Sequence, residues 1–221
     1  MAKSALNTSI AKKVAMALSG LFLILFLAQH FFINFTSVFG PDNFNSISHF
    51  MGYNPLVQYI IQPILIVGVI FHFIMGLYLD YQNRKARPIP YARNNGAANS
   101  SWASRNMVLT GLVVLAFMGL HFYDFWIPEI SYKYISVNPL VADRYHEELV
   151  HKFVDPIRTA IYCVSFVLLA LHLWHGFNSS FQSVGFNNKY SRALHKLGYV
   201  FAIVVPFGFI FIALFHHFNH S

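Results

Sequence analysis

The chain has 221 residues, of which 56% are hydrophobic and 10% charged, with 24 phenylalanines and a formal net charge of +7. A soluble domain carries about 25% charged residues, so this composition is that of an integral membrane protein, with room for a single membrane domain over residues 1–221. The lone Cys163 excludes a disulfide framework and any site of clustered thiolates; asymmetric loop charge, rather than a nucleic-acid partner, accounts for the net charge.

A spanning helix needs about 20 mostly apolar residues. Five segments qualify, at about 14–38, 56–81, 106–126, 156–181 and 194–218, so the expected fold is all-α, a five-helix transmembrane bundle. No small-residue cleavage site ends the first run, which is also too long for a signal peptide; it is expected to be retained. Segment 82–105 is short, basic and rich in Asn, Ser, Gly and Pro. Segment 127–155 is acidic and long enough for a short helix around Ala142–His151. The fifth span carries Pro206, an expected kink, has no histidine at depth, and is assigned to packing.

Eleven of the fifteen Lys and Arg residues fall on one side: Lys3, Lys12, Lys13, Arg84, Lys85, Arg87, Arg93, Arg105, Lys189, Arg192 and Lys196. The positive-inside rule then places the N-terminus in the cytoplasm and the C-terminus outside. The cytoplasmic loops are too small to hold an enzyme, so any soluble chemistry comes from another chain.

Four spans each carry a histidine within the apolar region: His30, His72, His121 and His172. With alternating helix directions, His30 and His121 share the outer half, and His72 and His172 the inner half. The contexts repeat. SGLFLILFLAQH in the first span and TGLVVLAFMGLH in the third each place a hydroxyl and a glycine, Gly20 or Gly111, ahead of the histidine. HFIMG in the second and HLWHG in the fourth each place a glycine, Gly76 or Gly176, four residues after it. A glycine at i+4 shares the histidine's helix face and lets a flat macrocycle approach the backbone. Ten helical residues span about 15 Å, which brings Gly20 and Gly111 near the depth of the inner pair.

A lone membrane histidine is commonly a packing residue or a proton carrier. Four at paired depths in matched contexts point to two bis-histidine cofactors. Zinc or copper usually draws several ligands close together. One histidine per helix in two layers fits haem iron, and bis-His ligation leaves no open position, which suits electron transfer.

These residues resemble the di-haem cytochrome b anchor of succinate:quinone oxidoreductases, of the single-chain five-helix type. The matching stretches are QHFFINF, FNSISHFMGYNPL, FHFIMGLY, TGLVVLAFMGLH and HLWHGFNSSFQSVG, spread over the first four spans. The resemblance implies a bacterial cytoplasmic-membrane subunit that binds two b haems. A flavoprotein with FAD and an iron–sulfur subunit would dock on the cytoplasmic face, and a quinone, expected to be menaquinone, would exchange electrons in the membrane. It implies that His30 and His121 hold the distal haem and His72 and His172 the proximal one. It also implies a quinone site at the outer end of the second span. Some members carry a carboxylate directly after a stretch like HFM; here that position is Gly52, which leaves Asn45, His49, Gln62 and Asp42 as polar alternatives, each equally readable as a solvated loop or cap group.

Haem propionates need cationic or hydrogen-bonding partners. Trp102, Arg105, Ser19 and Lys189 are the inner candidates, Arg158 and Lys152 the outer ones, although ordinary topology explains Arg105 and Lys189 as well. His175, three residues beyond His172, points in a neighbouring direction and is expected to bond a propionate or another helix. The basic loop 84–93 suits an acidic partner or anionic lipid. The terminal HHFNH, His216 to His220, reads as interfacial, His195 as a cap or lipid contact, and Tyr123, Trp126 and Tyr132 as an aromatic belt. The rival readings are a di-haem anchor of hydrogenase or formate dehydrogenase type, and a haem-free transporter with histidine proton relays.

Overall fold

The computed structural model describes residues 8–86, 102–186 and 188–220. Lys3, Arg87 and Arg93, and with them much of the basic loop 84–93, lie outside the described residues. Among the described residues every element is helical.

Local chemistry sets the helix ends. The Thr8 hydroxyl accepts the Ala11 N–H at 3.2 Å and starts α1, Ser9–Phe35. A 3₁₀ turn, Thr36–Phe39, tightens its end. Gly40 then turns the chain at φ +123°, a conformation that a side chain would strain, and Pro41 opens α2, Pro41–Tyr53. The Asn54 side chain accepts the Leu56 N–H at 2.9 Å ahead of α3, Val57–Lys85. A short α4, Trp102–Arg105, precedes α5, Met107–Ile135. After α6, Arg144–Val154, Asp155 accepts the Ile157 N–H at 2.9 Å and Pro156 takes the first position of α7, Pro156–Ser183. The last helix, α8, is Ser191–His220.

Helices α1, α3, α5, α7 and α8 are long and apolar enough to cross a membrane. In lipid, van der Waals packing replaces the hydrophobic effect as the force between helices, so small residues gather at interfaces. The most enclosed helix, α8, follows this rule: Ala202 and Ala213 have no exposed surface. A Cβ on Gly198 would lie 2.6 Å from the Phe177 ring, and one on Gly208 would lie closer still to Phe31 Cε2. At the other extreme, α3 has no buried residue beyond Val57 in its first turn. The densest packing joins Phe31, Phe44, Phe153, Tyr162, Phe166 and Phe209 of α1, α2, α6, α7 and α8. Helices α2 and α6 thus close one end of the bundle, called the capped end below.

The third span runs past its expected end at Trp126, through two π-helical turns, Phe122–Trp126 and Ser131–Ile135. Its charges are neutralised rather than exposed. Glu129 pairs with Lys133 at 2.5 Å and also with Arg144 of α6. The short helix expected at 142–151 is α6. The connection before the second span, to which no element was assigned, is α2.

His216 corrects the interfacial reading of the chain end. It has no exposed surface, and its Nε2 lies 2.9 Å from Ser37 Oγ. The Ser37 hydroxyl donates to the Asn34 carbonyl at 2.6 Å, so His216 donates to the hydroxyl oxygen. His146 of α6 donates to the Ser37 carbonyl at 3.1 Å. One residue thereby ties α1, α6 and α8 together. The sequence reads His216 as interfacial because a histidine at a chain end beside other polar residues carries no periodicity to mark it as internal.

Candidate cofactor site

The four intramembrane histidines come together in the two expected pairs. Toward the capped end, the rings of His30 and His121 stand 5.7 Å apart, nearly perpendicular at 88°. At the second level, His72 and His172 stand 6.4 Å apart at 72°. Metal–imidazole bonds of about 2.0–2.1 Å place two imidazoles across one ion with ring centres about 6 Å apart. Both measured separations are of that size. No group of three or more His, Cys, Asp or Glu side chains able to hold a metal ion occurs among the described residues. Two protein ligands per site suit iron whose remaining ligands come from a macrocycle.

Hydroxyl groups fix the second pair. Ser19 Oγ donates to the Met16 carbonyl at 2.8 Å, which leaves its oxygen to accept from His72 Nδ1 at 3.0 Å. Thr110 repeats the arrangement, donating to the Met107 carbonyl at 3.0 Å with its oxygen 3.4 Å from His172 Nδ1. A histidine whose Nδ1 carries the proton presents Nε2 as a lone pair, the form a metal needs. Thr110 was missed as a site residue, although its signal was present: it stands in the third span where Ser19 stands in the first.

The adjacent glycines provide clearance at the same level. A Cβ on Gly20 would lie 3.3 Å from His72 Cε1 and 3.0 Å from Ser180 Oγ; one on Gly111 would lie 3.6 Å from His172 Cε1. Helices α1 and α5 therefore give a histidine to one level and a hydroxyl–glycine step to the other. Gly76 and Gly176 face methionine methyls instead, Met16 Cε at 3.4 Å and Met107 Cε at 3.2 Å from an added Cβ. Flexible, polarisable thioether side chains line that space.

The first pair sits among aromatic rings. Phe26 stacks on His30 at 5.4 Å, Phe209 lies 5.7 Å from His30, and Phe125 lies 5.2 Å from His121. The Asn34 amide is 3.5 Å from both His30 ring nitrogens and donates to the His30 carbonyl at 2.8 Å. His121 Nδ1 is buried with no hydrogen-bond partner.

The remaining predicted contacts divide. Arg158 is engaged by Asp124 at 3.2 Å. Lys189 lies over the Tyr190 ring at 5.0 Å. Trp102 and Arg105 are exposed, and His175 is half-buried one turn beyond His172. Of the quinone candidates, Asn45 is fully engaged: its amide donates to the Asp143 carbonyl at 3.0 Å and its oxygen accepts the His146 N–H at 2.7 Å. Gln62 is half-buried. His49 differs, since its Nδ1 is buried without a partner while its ring lies 4.7 Å from the Tyr53 ring, tilted by 38°. Lys133 bonds to the Gly52 carbonyl, and a Cβ on Gly52 would meet Tyr145 Oη at 2.8 Å and Glu129 Oε1 at 3.4 Å. A carboxylate thus lies beside Gly52, contributed by α5.

No family model matches the chain, and no solved structure matches it. The chain is similar to the succinate dehydrogenase cytochrome b558 subunit of Bacillus subtilis (strain 168), with 28% identity over 101 residues, 45% of this chain and 46% of that protein. The chain thus spans about half the length of the characterised relative it matches.

Proposed function

We propose that this chain is the membrane anchor of a succinate:quinone oxidoreductase, a cytochrome b that carries two haems and performs no dicarboxylate chemistry itself. The observation that carries this reading is the pair of facing imidazole pairs at two levels of one bundle. The similarity to a succinate dehydrogenase cytochrome b subunit supports it independently.

In this reading His30 and His121 hold the distal haem, and His72 and His172 the proximal one. When bound, the two b haems supply one-electron exchange between an iron–sulfur partner and membrane quinone. The chain's part is positional. Ser19 and Thr110 keep the Nδ1 protons of His72 and His172 in place, so both rings arrive as ligands without reorientation. Gly20 and Gly111 leave room beside those rings, and Phe26, Phe125 and Phe209 exclude water from the other pair. Gly76, Gly176, His175, Trp102, Arg105 and Lys189 are assigned to the surroundings of the proximal haem.

Quinone is assigned to the capped end, beside His49, whose unpartnered Nδ1 offers a hydrogen bond to a quinone oxygen. Glu129 and Tyr145, next to Gly52, are the groups there that could exchange a proton. The flavoprotein and iron–sulfur subunits dock at the opposite, cytoplasmic end, where the basic segments lie. The whole complex sits in the bacterial cytoplasmic membrane, with the capped end outside.

The deciding measurement is a reduced-minus-oxidised spectrum of the purified protein, with haem quantified per chain. Two low-spin b haems are expected. The absence of a low-spin b signal would overturn the reading in favour of a transporter with proton-relay histidines. Co-purification of a flavin-bearing subunit with succinate activity separates this anchor from a hydrogenase or formate dehydrogenase anchor. His30→Ala or His121→Ala should remove one haem, and His72→Ala or His172→Ala the other.

A further inference from the structure

Three residues beyond His121, the π-helical turn Phe122–Trp126 carries Asp124 to the interior, where it is 1% exposed. Tyr162 Oη donates to its Oδ2 at 2.9 Å, and Arg158 Nη1 pairs with its Oδ1 at 3.2 Å. Tyr162 is also buried; the Arg158 side chain, 30% exposed, is the part of the trio that reaches the surface. Two rings bridge this trio to the first histidine pair. Phe117 lies 5.1 Å from Tyr162 and 5.9 Å from His121, and Phe125 lies 6.4 Å from Tyr162 and 5.2 Å from His121. The charge pair thus lies one helical turn along the chain from a proposed iron ligand, with two apolar rings touching both His121 and Tyr162.

An ionisable side chain at membrane depth is expensive, and its presence there is a functional signal. With water excluded, its field reaches further than it would in solution. We infer that Asp124 and Arg158 act in opposite directions on the midpoint potential of the haem held by His30 and His121, so that each charge offsets the other's effect. The inference rests on the two-haem reading. Reduction adds one negative charge at that site, so a nearby anion favours the oxidised form and a nearby cation the reduced form. In the intact pair the two opposing fields largely cancel. Tyr162 holds the carboxylate in one orientation, which fixes the balance. Asp124, Arg158 and Tyr162 act on the site through space and are positioning residues in this sense.

The signs are separable. Asp124→Asn leaves the guanidinium uncompensated and moves the potential up. Arg158→Gln leaves the carboxylate uncompensated and moves it down. The double variant returns toward the wild type. The haem of His72 and His172, about 15 Å away along the helices, changes little. A merely structural defect would not give shifts of opposite sign confined to one haem.

The test is a redox titration of purified wild type and variants, followed by haem absorbance. It is run at pH 7 and pH 9. Each single variant is expected to change the one-electron equilibrium about tenfold, or about 59 mV, in opposite directions. Shifts of the same sign, equal shifts in both haems, or no shift at either pH would overturn the inference while leaving the two-haem reading intact. A wild type without b haem would overturn the reading itself. If Asp124→Asn does not assemble, Arg158→Lys against Arg158→Gln decides: Lys should hold the wild-type potential, and an equal shift from both would overturn the inference.

Discussion

The bond from Ser19 to His72 asks most of a single side chain. At 3.0 Å it holds the imidazole tautomer, and the matching bond from Thr110 to His172 is longer, at 3.4 Å. Loss of such a supporting partner typically costs 10–100-fold in metal affinity. On the proposed two-haem reading, Ser19→Ala is therefore expected to lower haem occupancy at His72 and His172 by a factor in that range while sparing the other pair, and Thr110→Val to do so less. Pyridine haemochrome quantification after dilution reads this; equal loss of both haems would mean that Ser19 supports the fold and not the ligand. The serine–glycine and threonine–glycine repeat was visible in the sequence, and so was its depth opposite the other histidine pair. Which atom the hydroxyl bonds was not, because periodicity places a residue along a helix and says nothing of its partner across an interface. Burial of Asp124 was not legible, since a π-helical turn leaves no pattern in hydropathy.

Among the elements, α8 shows what packing in lipid requires. Phe31 is buried and fixed by neighbouring rings, so the space above Gly208 cannot open cheaply. Gly208→Ala should cost about 1–3 kcal/mol, the usual cost of overpacking, seen as a lower unfolding temperature in detergent. The extension of α5 and its contact with α6 give a second expectation. Burial first, and then Glu129, raise the Tyr145 phenol above its ordinary value of 10.0. The folded state therefore holds that proton more tightly than the unfolded chain. Its contribution is intact below about pH 10 and is lost as pH rises beyond it. Alkaline titration of unfolding should show the loss, and Tyr145→Phe should remove part of it. The five spans were legible because 20-residue apolar runs have few alternatives. The end of α5 was not, because Asp124, Pro128, Glu129 and Lys133 interrupt the run, and only the fold shows that Arg158, Tyr162 and Arg144 answer those charges.

The molecule as a whole has a closed end of helices and buried ion pairs, and an opposite end where the basic segments lie. If electrons enter at the cytoplasmic end and reach quinone beside His49, negative charge crosses the membrane outward. With the interior negative, that movement is helped by the potential, about 2.3 kcal/mol per charge per 100 mV. Succinate oxidation by intact membranes should then slow when an uncoupler collapses the potential; indifference to the uncoupler would place the quinone reaction at the other end. Charge counting was enough to suggest this orientation, because Lys and Arg are distributed so unequally among the loops.

The crossed arrangement on α1 and α5 also makes these helices measuring rods. Gly20 to His30 and Gly111 to His121 span the same number of residues, about 15 Å of rise. The gap between the two levels is thus written in covalent geometry rather than in loop lengths. A residue inserted between Gly20 and His30 would turn one site about 100° relative to the other. The interval between the two levels can change only if all four histidine-bearing helices change together.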